Sequence, residues 1–210
     1  MISFFNPNAP LLCRKQAVID LPDLPGLWRC HWQIGKFTLL STFYTRLDQA
    51  CIIWGAISFV IFGTAQFSPI SWFTQAVWWS ALSVIGTVGM MVLTPSWLRS
   101  EGLGWILDSW IILMLLGLVI TDLGIFLGWG TVLMHLCPLW LGLVAIGYLC
   151  TGFGMRSRTL MIIGLIHLLG IAILPYVASW QFLATGIIMG GSVLVLAEFQ
   201  WDSFGTCGGN

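Results

Sequence analysis

Six long apolar runs fill the chain from residue 47 onward, covering 47–67, 70–93, 105–124, 130–150, 159–177 and 180–199. Each is close to the roughly 20 residues that carry a helix across about 30 Å of hydrocarbon. Within a bilayer a chain must satisfy its own backbone, which leaves helices and closed barrels. Unbroken runs select helices, because barrel strands alternate over about ten residues. The pattern predicts an all-α integral membrane protein, a six-transmembrane-helix bundle built as three antiparallel hairpins.

The breaks between runs are short. Pro69 sits in the first, at 66–71, and Pro95 opens the second, at 94–104. Gly152 and Gly154 lie in the break at 151–158, and Pro175 ends the fifth run. The stretch 122–130 is apolar but carries Gly124, Gly128 and Gly130, so it reads as a turn, with a re-entrant segment as the alternative.

Residues 1–46 form an arm interrupted by Pro7, Pro10, Pro22 and Pro25, which excludes long helices there. Met1–Phe5 is too short for the apolar core of a secretory signal. From Leu27 to Tyr44, Trp28, Trp32, Phe37 and Phe43 mix with Arg29 and Lys36. That mixture predicts a segment lying on the membrane surface; the competing reading is a docking strand for a partner protein. Residues 200–210 are a short tail.

Composition strengthens the membrane reading. The chain is 58% hydrophobic and 8% charged, where soluble domains run at about 45–50% and about 25%. Charge placement sets the orientation. Arg14, Lys15, Arg29, Lys36 and Arg46 precede the first run, Arg99 lies between the second and third, and Arg156 and Arg158 lie between the fourth and fifth. With six crossings all eight fall on one side, so the positive-inside rule places both termini in the cytoplasm, N-in and C-in. A bacterial inner membrane or its equivalent is the expected location. No charged tract suits nucleic acid.

The thirteen tryptophans fit this layout. Trp72, Trp129 and Trp180 fall near outer run ends and Trp97, Trp105 and Trp201 near inner ends, as an interfacial belt. Trp54, Trp78, Trp79, Trp110 and Trp140 lie deeper, as packed or lipid-facing indoles. Gly186 and Gly190 form a G-x-x-x-G, as do Gly124 and Gly128, spacings that let helices approach closely. Each hairpin begins after Arg46, Arg99 or Arg158, a repeat of about 55 residues. The six cysteines form no C-x-x-C and no zinc-finger spacing, so they read as free thiols, and no metal site is expected.

Ionisable groups inside the bilayer cost about 2.5–3.5 kcal/mol each near a helix centre, so each needs a reason. There are four. Asp108 sits one turn into the third run, within reach of Arg99 or the inner interface. Asp122 lies near the outer end of that run, and His135 one to two turns into the fourth, so a hydrogen bond between them is sterically open. Asp108, Asp122 and His135 form a candidate proton or ion pathway. His167 falls mid-way along the fifth run with no acidic neighbour in it. His135 and His167 are candidate ligands for a haem or a chlorophyll, and a carotenoid is a further possible pigment. No Walker A, H-E-x-x-H, nucleophile elbow or dinucleotide fingerprint is present, so no catalytic residue is assigned.

The leading functional expectation is a non-catalytic accessory, assembly or scaffold subunit of a membrane complex. Its partners would be the bilayer and another membrane protein, or a second copy of the chain. A haem- or pigment-binding protein and a small-solute or proton transporter are the alternatives.

Overall fold

Caps and prolines decide where the apolar runs become helices. The computed structural model describes residues 10–15, 28–34, 37–94 and 102–202. Helix α1 spans Arg46–Phe67 and opens on a capping box. Thr45 Oγ1 accepts from the Asp48 N–H at 3.2 Å, and the Asp48 carboxylate accepts from the Thr45 N–H at 2.8 Å. Helix α2, Trp72–Leu93, is capped by Ser71, whose hydroxyl accepts from Thr74 N at 3.2 Å.

Helix α3 runs from Gly104 to Phe126. Gly128 adopts φ +62°, which lets Trp129 N–H donate back to Gly124 O at 2.8 Å. The helix thus runs through Asp122 to Phe126, and residues 127–129 make the tight turn into the next helix. The fourth run is not one helix. A five-residue helix α4, Gly130–Met134, is separated at His135 from α5, Leu136–Gly154. Pro138 explains the break: it has no N–H for the Met134 carbonyl four residues back, and its ring crowds that carbonyl.

Helix α6, Arg158–Ile173, is capped by Ser157, and ends two residues before Pro175. Leu174–Trp180 continue as a 3-10 turn kinked at Val177 (φ −122°, ψ 34°), and α7 follows at Gln181–Glu198. The stretch from Arg158 to Glu198 doubles back at this kink, because Asp202, just past α7, bonds the start of α6.

Five helical stretches are long and apolar enough to cross a membrane: 46–67, 72–93, 104–126, 136–154 and the 41-residue 158–198. Their outward faces carry Val60, Ile85, Val92, Leu115 and Leu169, all exposed. Each helix packs on its chain neighbour, and α7 returns against α1. Contact between α5 and α7 leaves α6 at the periphery.

Small residues set the α1–α7 contact, as their spacing predicts. A Cβ on Gly186 would stand 2.8 Å from Phe62 Cβ, and one on Gly190 would stand 2.8 Å from the Phe59 ring. The other spacing works locally, with Gly124 against Val132 of α4.

The first and last described strands meet at the end of the bundle that holds Arg46 and Arg158. Strand β1, Leu12–Arg14, pairs antiparallel with β4, Phe199–Trp201. Lys15 follows β1, and its side chain is only 5% exposed. Its ammonium donates to Asp48 Oδ2 at 2.7 Å and to Phe43 O at 3.1 Å, bonds Ala197 O, and lies 4.8 Å from the Tyr44 ring centroid. One cation thus joins the arm, the α1 cap and the last turn of α7. Asp202 makes a second junction. It accepts from Ser157 Oγ (2.9 Å), Arg158 Nε (2.9 Å), Arg158 N (3.1 Å) and Thr159 N (2.9 Å).

The segment read as lying on the membrane surface or docking a partner forms a β-hairpin. Strand β2, Trp28–Ile34, pairs with β3, Phe37–Tyr44, from Trp28↔Tyr44 to Ile34↔Phe37. β-Branched and aromatic residues recur along both strands, which favours extended backbone. The register skips Leu39, a bulge opposite Trp32 and Gln33.

Two predictions follow from this packing. Gly186→Ala should cost about 1–3 kcal/mol by overpacking against Phe62. Gly63→Ala, whose new methyl meets nothing within 4 Å, should be neutral or stabilising by about 1 kcal/mol; melting curves in detergent compare the two. For Asp202, burial opposes ionisation, but the Thr159, Arg158 and Ser157 donors outweigh it and hold its carboxyl below the ordinary value. Such a group stabilises the fold fully above its unfolded value of about 3.9, and loses that effect as pH falls through the lower folded value. Asp202→Asn should therefore lower stability at neutral pH and flatten the acid limb below about pH 4. An acid limb identical to that of the parent chain would contradict this.

Candidate functional site

Helices α1, α2, α3, α5 and α7 enclose a cavity of about 180 Å³. It runs from Trp201 and Met155 at the basic end to Phe182 and Asp122 near the other. Trp54, Trp79, Trp110 and Trp140, four of the deep indoles, form much of its wall.

Three of these indoles are fixed the same way. Trp79 Nε1–H donates to Thr64 Oγ1 at 3.1 Å, Trp110 to Thr151 at 2.9 Å and Trp140 to Thr121 at 3.1 Å. Two of the threonines pass their own proton to a carbonyl one turn back, Thr64 to Ile61 O (2.8 Å) and Thr151 to Gly147 O (2.7 Å). Each such bond removes an indole donor that hydrocarbon would leave unsatisfied.

Between α3 and α5 the arrangement is reciprocal. Trp110 of α3 lies against Gly147 and bonds Thr151; Trp140 of α5 lies against Gly117 and bonds Thr121. A Cβ at Gly147 or Gly117 would come within 2.7 or 2.8 Å of the opposing ring. Both helices carry the same spacing, tryptophan, glycine seven residues on, threonine four further: 110, 117, 121 and 140, 147, 151. Antiparallel helices with identical spacings dock as an isologous pair. The α1–α2 contact has half of this device, with Trp54 against Gly86 and Trp79 bonded to Thr64.

Of the four ionisable residues singled out in the sequence, only Asp122 lines the cavity. Its two carboxylate oxygens share one donor, Ser80 Oγ–H of α2, at 3.0 and 2.9 Å. The Asp122–His135 hydrogen bond does not form. His135 sits at the α4–α5 break, exposed, with Nδ1–H donating to Thr131 O at 2.8 Å. Asp108 is exposed near the start of α3, and Arg99, its expected neighbour, lies outside the described residues, as does Trp97. The three proposed pathway residues are thus not brought together.

His167 is fully buried. Its Nδ1–H donates to Ile163 O at 2.8 Å, which fixes the tautomer and leaves Nε2 an acceptor with no donor among the described residues. The Tyr148 ring packs on it with centroids 5.2 Å apart. A haem or chlorophyll does not fit at this histidine: the imidazole is closed in by protein, away from the cavity, with no open face for a macrocycle. His135 lies at another helix and is held by its own backbone. Among the described residues no group of three or more His, Cys, Asp or Glu could hold a metal ion.

The chain matches no family model, no curated protein and no solved structure in these comparisons.

The sequence reading passed over Ser80, Thr64, Thr121 and Thr151, the partners that complete the site. The repeated tryptophan–glycine–threonine spacing was the available signal. Thr121→Val and Thr151→Val should each cost about 0.5–1.5 kcal/mol, while serine at either position retains most of it. Equal stability of the valine and serine forms, measured by thermal unfolding, would show that the hydroxyls do not hold the indoles.

Proposed function

We propose that this chain is a six-span membrane protein with both termini in the cytoplasm, acting as a non-catalytic subunit of a membrane complex. The observation that carries this reading is the layer at the basic end of the bundle. There the first and last strands pair, and buried Lys15 and Asp202 tie them to the starts of α1 and α6. Burying charge is costly unless every partner is in place. A fold that does so at this end holds the β1–β4 pair and, through the Lys15 bond to Phe43 O, the β2–β3 hairpin on one surface. Such a surface suits docking by a membrane-protein partner or a second copy of this chain.

Six crossings follow if the doubled-back stretch 158–198 counts as two, with its 3-10 turn at the outer surface. The described basic side chains Lys15, Arg46, Arg156 and Arg158 then all share the inner side, as the positive-inside rule requires.

In a chain freed of its six native cysteines, Ala178→Cys should react with an impermeant maleimide on intact cells. Pro10→Cys should react only after permeabilisation. The opposite labelling would invert the topology, and labelling of both from one side would break the six-span count. Replacing residues 28–44 by a flexible linker of equal length should shift the native-gel band to that of the single chain. A band unmoved by the replacement would argue against the hairpin as the docking element.

A further inference from the structure

The cavity combines two features that helix packing alone does not require. Its wall is almost wholly aromatic and aliphatic, yet one end carries the carboxylate of Asp122. That carboxylate has a single neutral donor, Ser80, stretched across both oxygens. No described cationic side chain pairs with it: Lys15 is held at Asp48 and Arg158 at Asp202, both at the opposite end of the bundle.

We infer that the bundle cavity is a binding site for a small organic ammonium ion. Its cationic head faces Asp122 and its apolar body lies among Trp54, Trp79, Trp110 and Trp140. A carboxylate in a low-dielectric site attracts a cation strongly. Indole faces attract the same charge through their quadrupole, by about 2 kcal/mol or more once water is excluded. An anion would be repelled by Asp122. A hydrated divalent ion would find a single carboxylate among apolar walls, too few oxygens to replace its water.

Size narrows the class. An apolar cavity of about 150 Å³ accepts one benzene ring, and this one measures about 180 Å³. A single ring or short branched chain with an ammonium head matches that space. The site goes beyond the subunit reading and does not depend on it: Asp122 lies at the end of the cavity away from the β layer, and only Trp201 of β4 is shared between the two among the described residues.

Benzyltrimethylammonium and its neutral isostere neopentylbenzene differ only by nitrogen for carbon, so the pair isolates the charge. With the full chain in mild detergent, tryptophan quenching should saturate with the ammonium at a concentration at least about tenfold below that for the isostere, both corrected for micelle partition. Asp122→Asn should abolish the preference, with its melting curve checking the fold. Ser80→Ala, which frees the carboxylate, should keep or sharpen the preference and guards against an Asp122 variant that fails to fold. Equal affinity for the two probes in the parent chain would overturn the inference, as would no saturable binding of the ammonium. A preference that survives Asp122→Asn in a folded chain would overturn the role of Asp122.

Discussion

Hydrocarbon offers no water to take up a hydrogen bond the protein fails to make, and the interior of this bundle is arranged around that constraint. The helices satisfy their own backbones, so the question passes to the side chains. Indole N–H groups meet threonine hydroxyls across helix contacts, and two of those hydroxyls return their protons to a carbonyl of their own helix. Asp122 takes its donor from Ser80 on the adjacent helix. Where the end of α1 meets the start of α7, Gln66 bridges Ser179 O and Leu183 N. Polar groups in lipid serve best as local fasteners, and the close contacts depend on small residues opposite large rings.

Charge follows a different rule. The ion pairs Lys15–Asp48 and Arg158–Asp202 lie at the basic end, and each engages the N-terminus of a helix. Helix starts expose unpaired N–H groups and a partial positive charge, so carboxylates are favoured there. Asp48 caps α1 from within it, and Asp202 caps α6 from the far end of the chain. The arm and the tail are thereby made part of the fold. The opposite end has turns, aromatic contacts such as Phe67–Trp180 and Phe73–Phe126, and glycine at the tight turn.

Much of the helical layout was readable because its cause is local. Run length, proline and glycine positions and capping residues lie within a few residues of the features they control. Two local features were not read from the sequence: Pro138 breaks the fourth run at His135, and residues 28–34 and 37–44 of the arm pair as strands. The site was less legible. Asp122 was marked by its rarity, but its partner lies 42 residues away on another helix. His135 and Asp108 were marked by the same rarity and face outward.

The sequence by itself determined the elements, because hydrophobic length and helix termination act through neighbours along the chain. It also marked which end of the bundle carries the basic residues. Only the tertiary structure decided that Trp110 and Trp140 lock reciprocally, that Lys15 and Asp202 fasten the β1–β4 pair to the starts of α1 and α6, and that Asp122 faces an aromatic cavity while His167 does not line it. Those outcomes depend on which helix faces meet. Apolar helices with nearly uniform hydrophobicity carry no clear record of their inward face, so it is set by the fit of glycine to indole and hydroxyl to N–H across the contact.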